Sequence, residues 1–209
     1  MARARANGLL ITLEGGEGSG KTTQASALAK QLEGRGHSVC LTREPGGTAL
    51  GLAVVRLLRE SEGGLALTPL AELMLFEADR AQHVSEAIRP ALAAGKIVVC
   101  DRFTDSSLAY QGYGRGLDLD LIRTVNDEAT GGLRPDLTLL LDVPPEIGLS
   151  REGAQLDVTG RESLEFHERV REGFLALARD DPERFVVINA MLRETEVAEQ
   201  GLAAVEKLL

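Results

Sequence analysis

The 209-residue sequence predicts an α/β fold of three layers, a five-stranded parallel β-sheet with helices on both faces. Apolar runs of strand length alternate with longer amphipathic segments, as in parallel sheets whose strands are joined by crossover helices. Each run is almost continuously apolar, which indicates that both faces of each strand are buried. Because no repeat or low-complexity linker interrupts the alternation, we expect one domain over residues 1–209.

Five strands and seven helices are expected in chain order. The predicted strands are Leu9–Leu13, Ser38–Leu41, Ile97–Cys100, Leu137–Leu141 and Phe185–Ile188. The predicted helices cover residues 21–34, 48–60, 69–93, 118–131, 145–152, 162–179 and 194–208. The polar stretch SREGAQLDVTG, residues 150–160, lies between two helical patterns. It is either a surface loop or a mobile lid of about residues 150–162.

Composition excludes several classes of partner. The chain has 23 basic and 32 acidic residues, a net charge of −9, and lacks the basic field that nucleic-acid binding requires. No run approaches the roughly 18 apolar residues of a membrane span. Cys40 and Cys100 have no metal-ligand or redox spacing and are typical of buried thiols in a reducing compartment. We therefore expect a cytoplasmic protein with neither a nucleic-acid nor a membrane partner.

A glycine-rich loop follows the first predicted strand and precedes a helix. Gly15, Gly20, Lys21 and Thr22 satisfy the pattern GxxxxGK[ST], whose backbone amides, helix N-terminus and lysine converge on the phosphates of a nucleotide. A turn that merely joins strand to helix does not need the Lys-Thr pair. The residues expected to bind the nucleoside triphosphate are Gly15, Gly16, Glu17, Gly18, Ser19, Gly20, Lys21, Thr22 and Thr23, and Thr22 offers a hydroxyl for Mg²⁺.

Charged residues near this loop point to a second substrate. Glu17 lies inside the loop, where phosphates repel a carboxylate; it either accepts a hydrogen bond from a sugar hydroxyl or faces water. Asp101 and Arg102 follow the third strand, at the sheet edge where α/β folds bind ligands. Asp101 is expected to hold Mg²⁺ through water and Arg102 to grip a phosphate. The alternative is a surface ion pair of little energetic value.

The helix predicted over 69–93 carries an aromatic residue outside its apolar stripe. The expected stripe is Leu70, Met74, Ala81, Ile88 and Leu92. Phe76 lies about 160° from Met74 at about 100° per residue, and Arg80 follows one turn later. A base stacked on Phe76 with its phosphate near Arg80 fits the pair, although a second packing face of the helix also explains it. His83, on the same side, is expected to be solvated.

Four motifs resemble the thymidylate kinase family over nearly the whole chain. They are LEGGEGSGKTTQ at 13–24, TREPGGT at 42–48, DRFTDSSLAYQG at 101–112 and RPDLTLLLDV at 134–143. The second and third are specific to this family among nucleoside monophosphate kinases. The resemblance implies a P-loop kinase fold, in-line transfer of the γ-phosphoryl group of ATP-Mg²⁺ to dTMP, and a homodimer.

The resemblance also implies roles for individual residues. It assigns Glu17 to the 3′-hydroxyl of deoxyribose, Phe76 to stacking on thymine, and Arg80 and Arg102 to the dTMP phosphate. Arg43 lies near the acceptor, and the Glu44–Pro45 peptide bond resembles one that is cis in the family. The residues matched to positions around the base and sugar are Ser106, Ser107, Tyr110 and Gln111.

Members of the family differ in which segment of the chain supplies the catalytic arginine. Some carry it in the glycine loop, where this chain has Gly18, and others supply basic residues from the lid. Val158 replaces the arginine that the family often has in the lid. Arg151 and Arg161 are the remaining candidates, and we rank Arg151 first. Catalysis is thus expected from Lys21, Arg102 and one of these lid arginines.

Two other functions remain possible at this stage. A kinase for another nucleoside or nucleoside monophosphate shares the phosphate loop, but Phe76, Arg80 and the segment 106–111 disfavour it. A nucleotide-dependent switch needs only slow hydrolysis and a stable bound nucleotide, and it leaves Phe76, Arg80 and Arg102 unexplained.

Overall fold

The computed structural model describes residues 8–60, 67–152 and 162–209. Five parallel strands form one sheet in the order β2-β3-β1-β4-β5, which confirms the predicted fold class. The strands are β1 (Leu9–Glu14), β2 (Val39–Arg43), β3 (Ile97–Asp101), β4 (Leu137–Asp142) and β5 (Phe185–Asn189). The predicted lid, about residues 150–162, falls mostly outside the described residues.

Helices connect and cover the strands. They are α1 (Lys21–Gly34), α2 (Ala49–Glu60), α3 (Pro69–His83), α4 (Arg89–Ala93), α5 (Thr104–Ser107), α6 (Leu119–Thr130), α7 (Pro145–Glu152), α8 (Leu164–Asp180) and α9 (Glu194–Glu206). The helix predicted over 69–93 is interrupted by a π-helical turn, Val84–Ile88. Pro90 follows that turn and has no amide hydrogen for the regular α-helical bond, which accounts for a break there. No helix in the described ranges is long and apolar enough to span a membrane.

The segment after β3 is helical, which the sequence analysis did not predict. The short helix α5 continues directly into a π-helical stretch, Leu108–Gly114. Small and polar residues have weak helix propensity, so local sequence gives little signal here. Packing holds the stretch, because Tyr110 is buried against Phe166 and Phe174 of α8.

The core lies on both faces of the central strand. All six residues of β1 are buried. Leu13 packs with Leu28 of α1 and Val197 of α9 on one face, while Leu10 packs with Ile88 on the other. Each fully buried leucine or isoleucine stabilises the fold by about 1.5–3 kcal/mol. This packing fixes the carboxyl ends of β1 and β3 side by side, with Leu13 in register with Asp101.

The apolar stripe expected on the helix over 69–93 is wrong at its start, over α3, although Ile88 further along is buried as expected. Leu70 and Met74 are 46 % and 42 % exposed, and the inner face of the helix buries Glu72, Glu77, Asp79, Arg80 and His83 instead. That face borders a cavity and a buried polar cluster, so polar side chains find hydrogen-bond partners there. His83 is therefore not solvated: its ring nitrogens pair with Thr42 Oγ1 at 2.6 Å and Glu44 Oε1 at 2.9 Å.

Candidate active site

A cavity of about 370 Å³ opens at the carboxyl ends of β1, β2 and β3. All nine residues predicted to bind the acceptor line it, together with Lys21, Thr22, Thr23 and Asp101 of the predicted nucleotide and metal sites. The nine are Glu17, Arg43, Phe76, Arg80, Arg102, Ser106, Ser107, Tyr110 and Gln111. Residues up to 94 positions apart thus meet at one edge of the sheet.

The glycine loop between β1 and α1 has the geometry that its sequence predicts. Gly15, Gly18 and Gly20 have φ of 145°, 62° and 88°, which side chains rarely adopt. A Cβ on Gly15 would lie 2.4 Å from the carbonyl oxygen of Leu141. Backbone amides at the loop and at the start of α1 are therefore free to approach an anion closely.

Lys21 lies buried within this loop. Its Nζ donates to the carbonyl oxygen of Gly16 at 2.7 Å and to Ser19 Oγ at 3.2 Å. Burial, reinforced by the charge of Arg102, lowers the pKa of Lys21 to about 8. The ammonium is consequently charged at neutral pH but close to its titration range.

Thr22 and Asp101, the two residues predicted to hold a metal, contact each other. Thr22 Oγ1 donates to Asp101 Oδ2 at 2.5 Å. Asp101 Oδ1 is buried and has no hydrogen-bond partner within the described ranges. A buried carboxylate oxygen without a partner, beside a hydroxyl, fits Mg²⁺, which prefers oxygen ligands and retains waters. The described residues contain no cluster of three or more His, Cys, Asp or Glu suited to a metal, so a cation bound here would need phosphate oxygens and water as further ligands.

Arg102 and Tyr110 hold Glu17 in place. Arg102 Nη2 and the Tyr110 hydroxyl donate to Glu17 Oε1 at 2.9 Å and 2.8 Å. Burial raises the pKa of Glu17, but the charges of Arg102 and Lys21 outweigh the effect of burial and lower the pKa to about 2.

The backbone of Arg102 is strained. Its φ is 68°, the one positive φ outside glycine that the structure records in its described part. Such strain costs about 1–3 kcal/mol and clusters at functional sites.

Glu14, which the sequence analysis missed, supports the segment after β3. Its carboxylate accepts from the amide of Phe103 at 2.8 Å and from Ser106 Oγ at 2.6 Å. Burial, with the nearby charge of Asp105, raises its pKa to about 8. A carboxylate at the end of a fully buried strand was the available signal, since such a group needs dedicated donors. Glu14 thereby fixes Ser106 at the cavity wall.

Arg80 is deeply engaged in hydrogen bonds. It is 2 % exposed and donates to Glu44 Oε2 at 2.8 Å, to Ser107 Oγ at 2.9 Å, and to Glu77. Two carboxylates thus balance its charge, so Arg80 adds little positive potential to the cavity. Phe76, half-buried one turn earlier, lines the same wall.

A second residue missed from sequence, Glu72, ends this wall. Gln111 Nε2 donates to Glu72 Oε1 at 2.7 Å, and Arg115 Nη2 donates to Glu72 Oε2 at 3.0 Å. Glu72 precedes Phe76 by four residues, as Phe76 precedes Arg80. That spacing places all three on one helix face, and it was the signal that could have identified Glu72.

The candidate lid arginines are placed differently. Arg151, in the last turn of α7, is exposed and does not line the cavity. Its Nη1 donates to the carbonyl oxygens of Gly18 at 3.3 Å and Ala190 at 3.1 Å. Arg161 lies outside the described residues.

Arg43 is exposed at the cavity mouth. It is next to the Glu44–Pro45 peptide bond, which is cis as the resemblance implied.

A phosphate-binding loop that opens into a partly aromatic cavity is the arrangement of a P-loop kinase with a small acceptor. The thymidylate kinase family model matches residues 13–200, and the chain belongs to that family. A thymidylate kinase of Synechococcus sp. (strain JA-2-3B'a(2-13)) is 57 % identical over 201 residues, 96 % of each chain. One from Desulfovibrio desulfuricans is 53 % identical, again over 96 % of each. The crystal structure of thymidylate kinase from Ehrlichia chaffeensis aligns with a TM-score of 0.78 and 38 % identity, covering 95 % of this chain and 98 % of that one.

Proposed function

We propose that this chain phosphorylates dTMP to dTDP with ATP and Mg²⁺, using the cavity beside Lys21 as the acceptor site. The observation that carries the proposal is that all nine predicted acceptor residues line one cavity, continuous with Lys21 and Thr22. A phosphate oxygen of dTMP attacks the γ-phosphorus while the bond from that phosphorus to the β,γ-bridging oxygen breaks, and ADP leaves. Mg²⁺, held by Thr22 and Asp101, would neutralise charge on the phosphates.

The protein's share of the chemistry is positioning and positive charge. Lys21 would hold the β- and γ-phosphates, and Arg102, anchored on Glu17, would hold the acceptor phosphate between the two substrates. Glu17 accepts hydrogen bonds through an ionised carboxylate, which suits the 3′-hydroxyl of the sugar. Arg80, whose charge is balanced by Glu44 and Glu77, supports a phosphate less well than Arg102 does.

For the lid, we propose Arg151 as the arginine that reaches the transferring phosphate, with Arg161 second. Its contact with the carbonyl oxygen of Gly18 supports this order, because it places the guanidinium against the phosphate loop. The single-domain organisation with a lid at about 150–162 belongs to the same proposal.

We also propose a cytoplasmic homodimer. Leu50 and Leu57 share one face of α2, Leu70 and Met74 share one face of the adjacent helix α3, and all four side chains are 42–46 % exposed. An apolar surface shared by two packed helices is the kind that a second copy of a chain covers. The free thiols of Cys40 and Cys100 suit a reducing compartment.

A coupled assay of ADP release tests the function directly. With saturating ATP and Mg²⁺, turnover is expected with dTMP and at most weakly with dUMP, dCMP, dGMP or dAMP. A clear preference for another acceptor would assign the chain to a different substrate. Slow hydrolysis without stimulation by any acceptor would favour a nucleotide-dependent switch.

A further inference from the structure

The acceptor cavity ends at a buried carboxylate that has no role in the phosphoryl transfer. Glu72 is 5 % exposed, lies one turn before Phe76, and contacts Gln111 and Arg115. We propose that Glu72 sets the base preference of the enzyme by fixing which end of the Gln111 amide faces the cavity. This inference rests on the proposed function, since it concerns the base of the acceptor.

The orientation of Gln111 follows from the chemistry of its partner. An ionised carboxylate only accepts hydrogen bonds, so it pairs with the amide nitrogen of Gln111 and not with the amide oxygen. Gln111 Nε2 lies 2.7 Å from Glu72 Oε1. Gln111 lines the cavity, and its Oε1 accepts no hydrogen bond from the residues that the structure describes. Because Glu72 holds the nitrogen end of the amide, we assign the oxygen end, which is an acceptor, to the contact with a bound base.

Arg115 prevents Glu72 and Gln111 from exchanging their roles as hydrogen-bond acceptor and donor. Its Nη2 lies 3.0 Å from Glu72 Oε2 and its Nε 3.4 Å from Glu72 Oε1, so both oxygens face the guanidinium. A guanidinium only donates hydrogen bonds, so the side chain at position 72 must present acceptors to Arg115, and an amide at that position would offer its nitrogen to Gln111. Arg115 is held in turn by Glu162 and lies over the Phe166 ring, 4.8 Å from its centroid.

With N3 of the base placed against the oxygen of Gln111, a fixed acceptor discriminates between pyrimidines. Thymine and uracil carry a hydrogen on N3, which donates to an amide oxygen. Cytosine has a lone pair at N3, which would face the Gln111 oxygen without a shared proton. A buried pair of acceptors costs a substantial part of the binding energy, so dCMP should bind poorly. The methyl group that distinguishes dTMP from dUMP plays no part in this contact.

The substitution Glu72→Gln tests the proposal because it keeps the size and shape of the side chain while it changes the hydrogen-bonding pattern and removes one charge beside Arg115. Arg115 would take the oxygen of the new amide, whose nitrogen would then face Gln111. Gln111 must turn its own oxygen toward that nitrogen and present Nε2 to the cavity. We expect the ratio of kcat/KM for dTMP to that for dCMP to fall at least tenfold. The ratio for dTMP to dUMP should stay within twofold of wild type.

A matched control is Asp142→Asn. It also replaces a carboxylate that faces a side-on arginine, Arg171, but it lies outside the cavity. Both ratios should stay within twofold there. The variant Gln111→Leu removes the amide that Glu72 is proposed to orient, and it should lower the dTMP/dCMP ratio by itself. In that background, adding Glu72→Gln should change the ratio no further.

The possible results of these experiments distinguish the proposed role of Glu72 from the proposed function of the chain. If Glu72→Gln turns over dTMP with an unchanged dTMP/dCMP ratio, the proposed role of Glu72 is wrong. If Glu72→Gln does not fold, as judged by circular dichroism, an unchanged ratio in Gln111→Leu overturns the proposal equally. A parallel fall of the dTMP/dUMP ratio would indicate general damage to the pocket and also contradicts it. If the wild-type chain phosphorylates none of the three acceptors, the proposed function itself fails.

Discussion

The glycine loop and helix α7 touch through two glycines, Gly18 and Gly148. A Cβ on Gly18 would lie 1.9 Å from the carbonyl oxygen of Gly148, and a Cβ on Gly148 would lie 2.2 Å from the carbonyl oxygen of Glu17. Neither contact leaves space for a side chain. Gly18 is therefore required by packing as well as by its positive φ, and an arginine at this position is incompatible with α7 where it lies.

Replacing Gly148 with alanine should displace the phosphate loop. Backbone atoms on both sides must separate, so we expect KM for ATP to rise at least tenfold. The melting temperature should fall by about 4 °C or more, equivalent to about 2 kcal/mol for a chain of this size. The control is Gly34→Ala at the end of α1, where no atom lies within 4 Å of an added Cβ. Unchanged ATP kinetics in Gly148→Ala would show that the loop does not depend on this contact.

The pH dependence of ATP use should report Lys21. Burial lowers its pKa to about 8, so the charged form that holds the phosphates is present below pH 8 and is lost as pH rises through that value. We expect kcat/KM for ATP to decline above pH 8 with a single apparent pKa near 8. Lys21→Arg, permanently charged, should lose that decline at a lower overall rate. A wild-type profile that is flat to pH 9.5 contradicts the assignment.

The sequence predicted the elements whose patterns are local and missed those that depend on tertiary partners. Strands β1 and β3 are recognisable because nearly every residue is apolar, and the glycine loop because its glycines and Lys21 keep a fixed spacing. Glu14 and Glu72 were missed, and His83 was wrongly expected to be solvated. A polar residue is predicted to be exposed when its hydrogen-bond partners are distant in the sequence and therefore unknown. Glu14 meets Phe103 and Ser106 across 89 to 92 residues of chain. A pattern within a short sequence window cannot identify hydrogen bonds between residues so far apart.

The Mg²⁺ requirement should depend on Asp101. Asparagine at this position removes the charge and the partnerless carboxylate oxygen that a cation would neutralise. We expect Asp101→Asn to raise the Mg²⁺ concentration for half-maximal activity at least tenfold, measured at saturating ATP and dTMP. Asp142→Asn, a carboxylate outside the cavity, should leave it within twofold. An unchanged Mg²⁺ dependence with reduced kcat would mean that Asp101 only positions Thr22.

Loss of Arg151 should slow the chemical step. An arginine that contacts the transferring phosphoryl group contributes about 10³ to 10⁵ in rate, so Arg151→Ala is expected to lower kcat by about 10³ with KM for dTMP within threefold. Arg123→Ala, an exposed arginine of α6, is the control and should have wild-type kinetics. If Arg151→Ala keeps near-normal turnover while Arg161→Ala abolishes it, the order proposed for the two arginines is wrong.

The apolar surface of α2 and α3 should hold two copies of the chain together. Leu70 and Met74 are one turn apart on α3, and both are exposed, so carboxylates at these positions would be buried in the proposed apolar interface. We expect Leu70→Glu with Met74→Glu to sediment as a monomer at concentrations where the wild-type chain sediments as a dimer. Val187→Glu, at an exposed position of the edge strand β5, should remain dimeric. Because Phe76 and Arg80 follow on the same helix, dissociation should also raise KM for dTMP. A wild-type chain that is monomeric throughout would remove the dimer from the proposal.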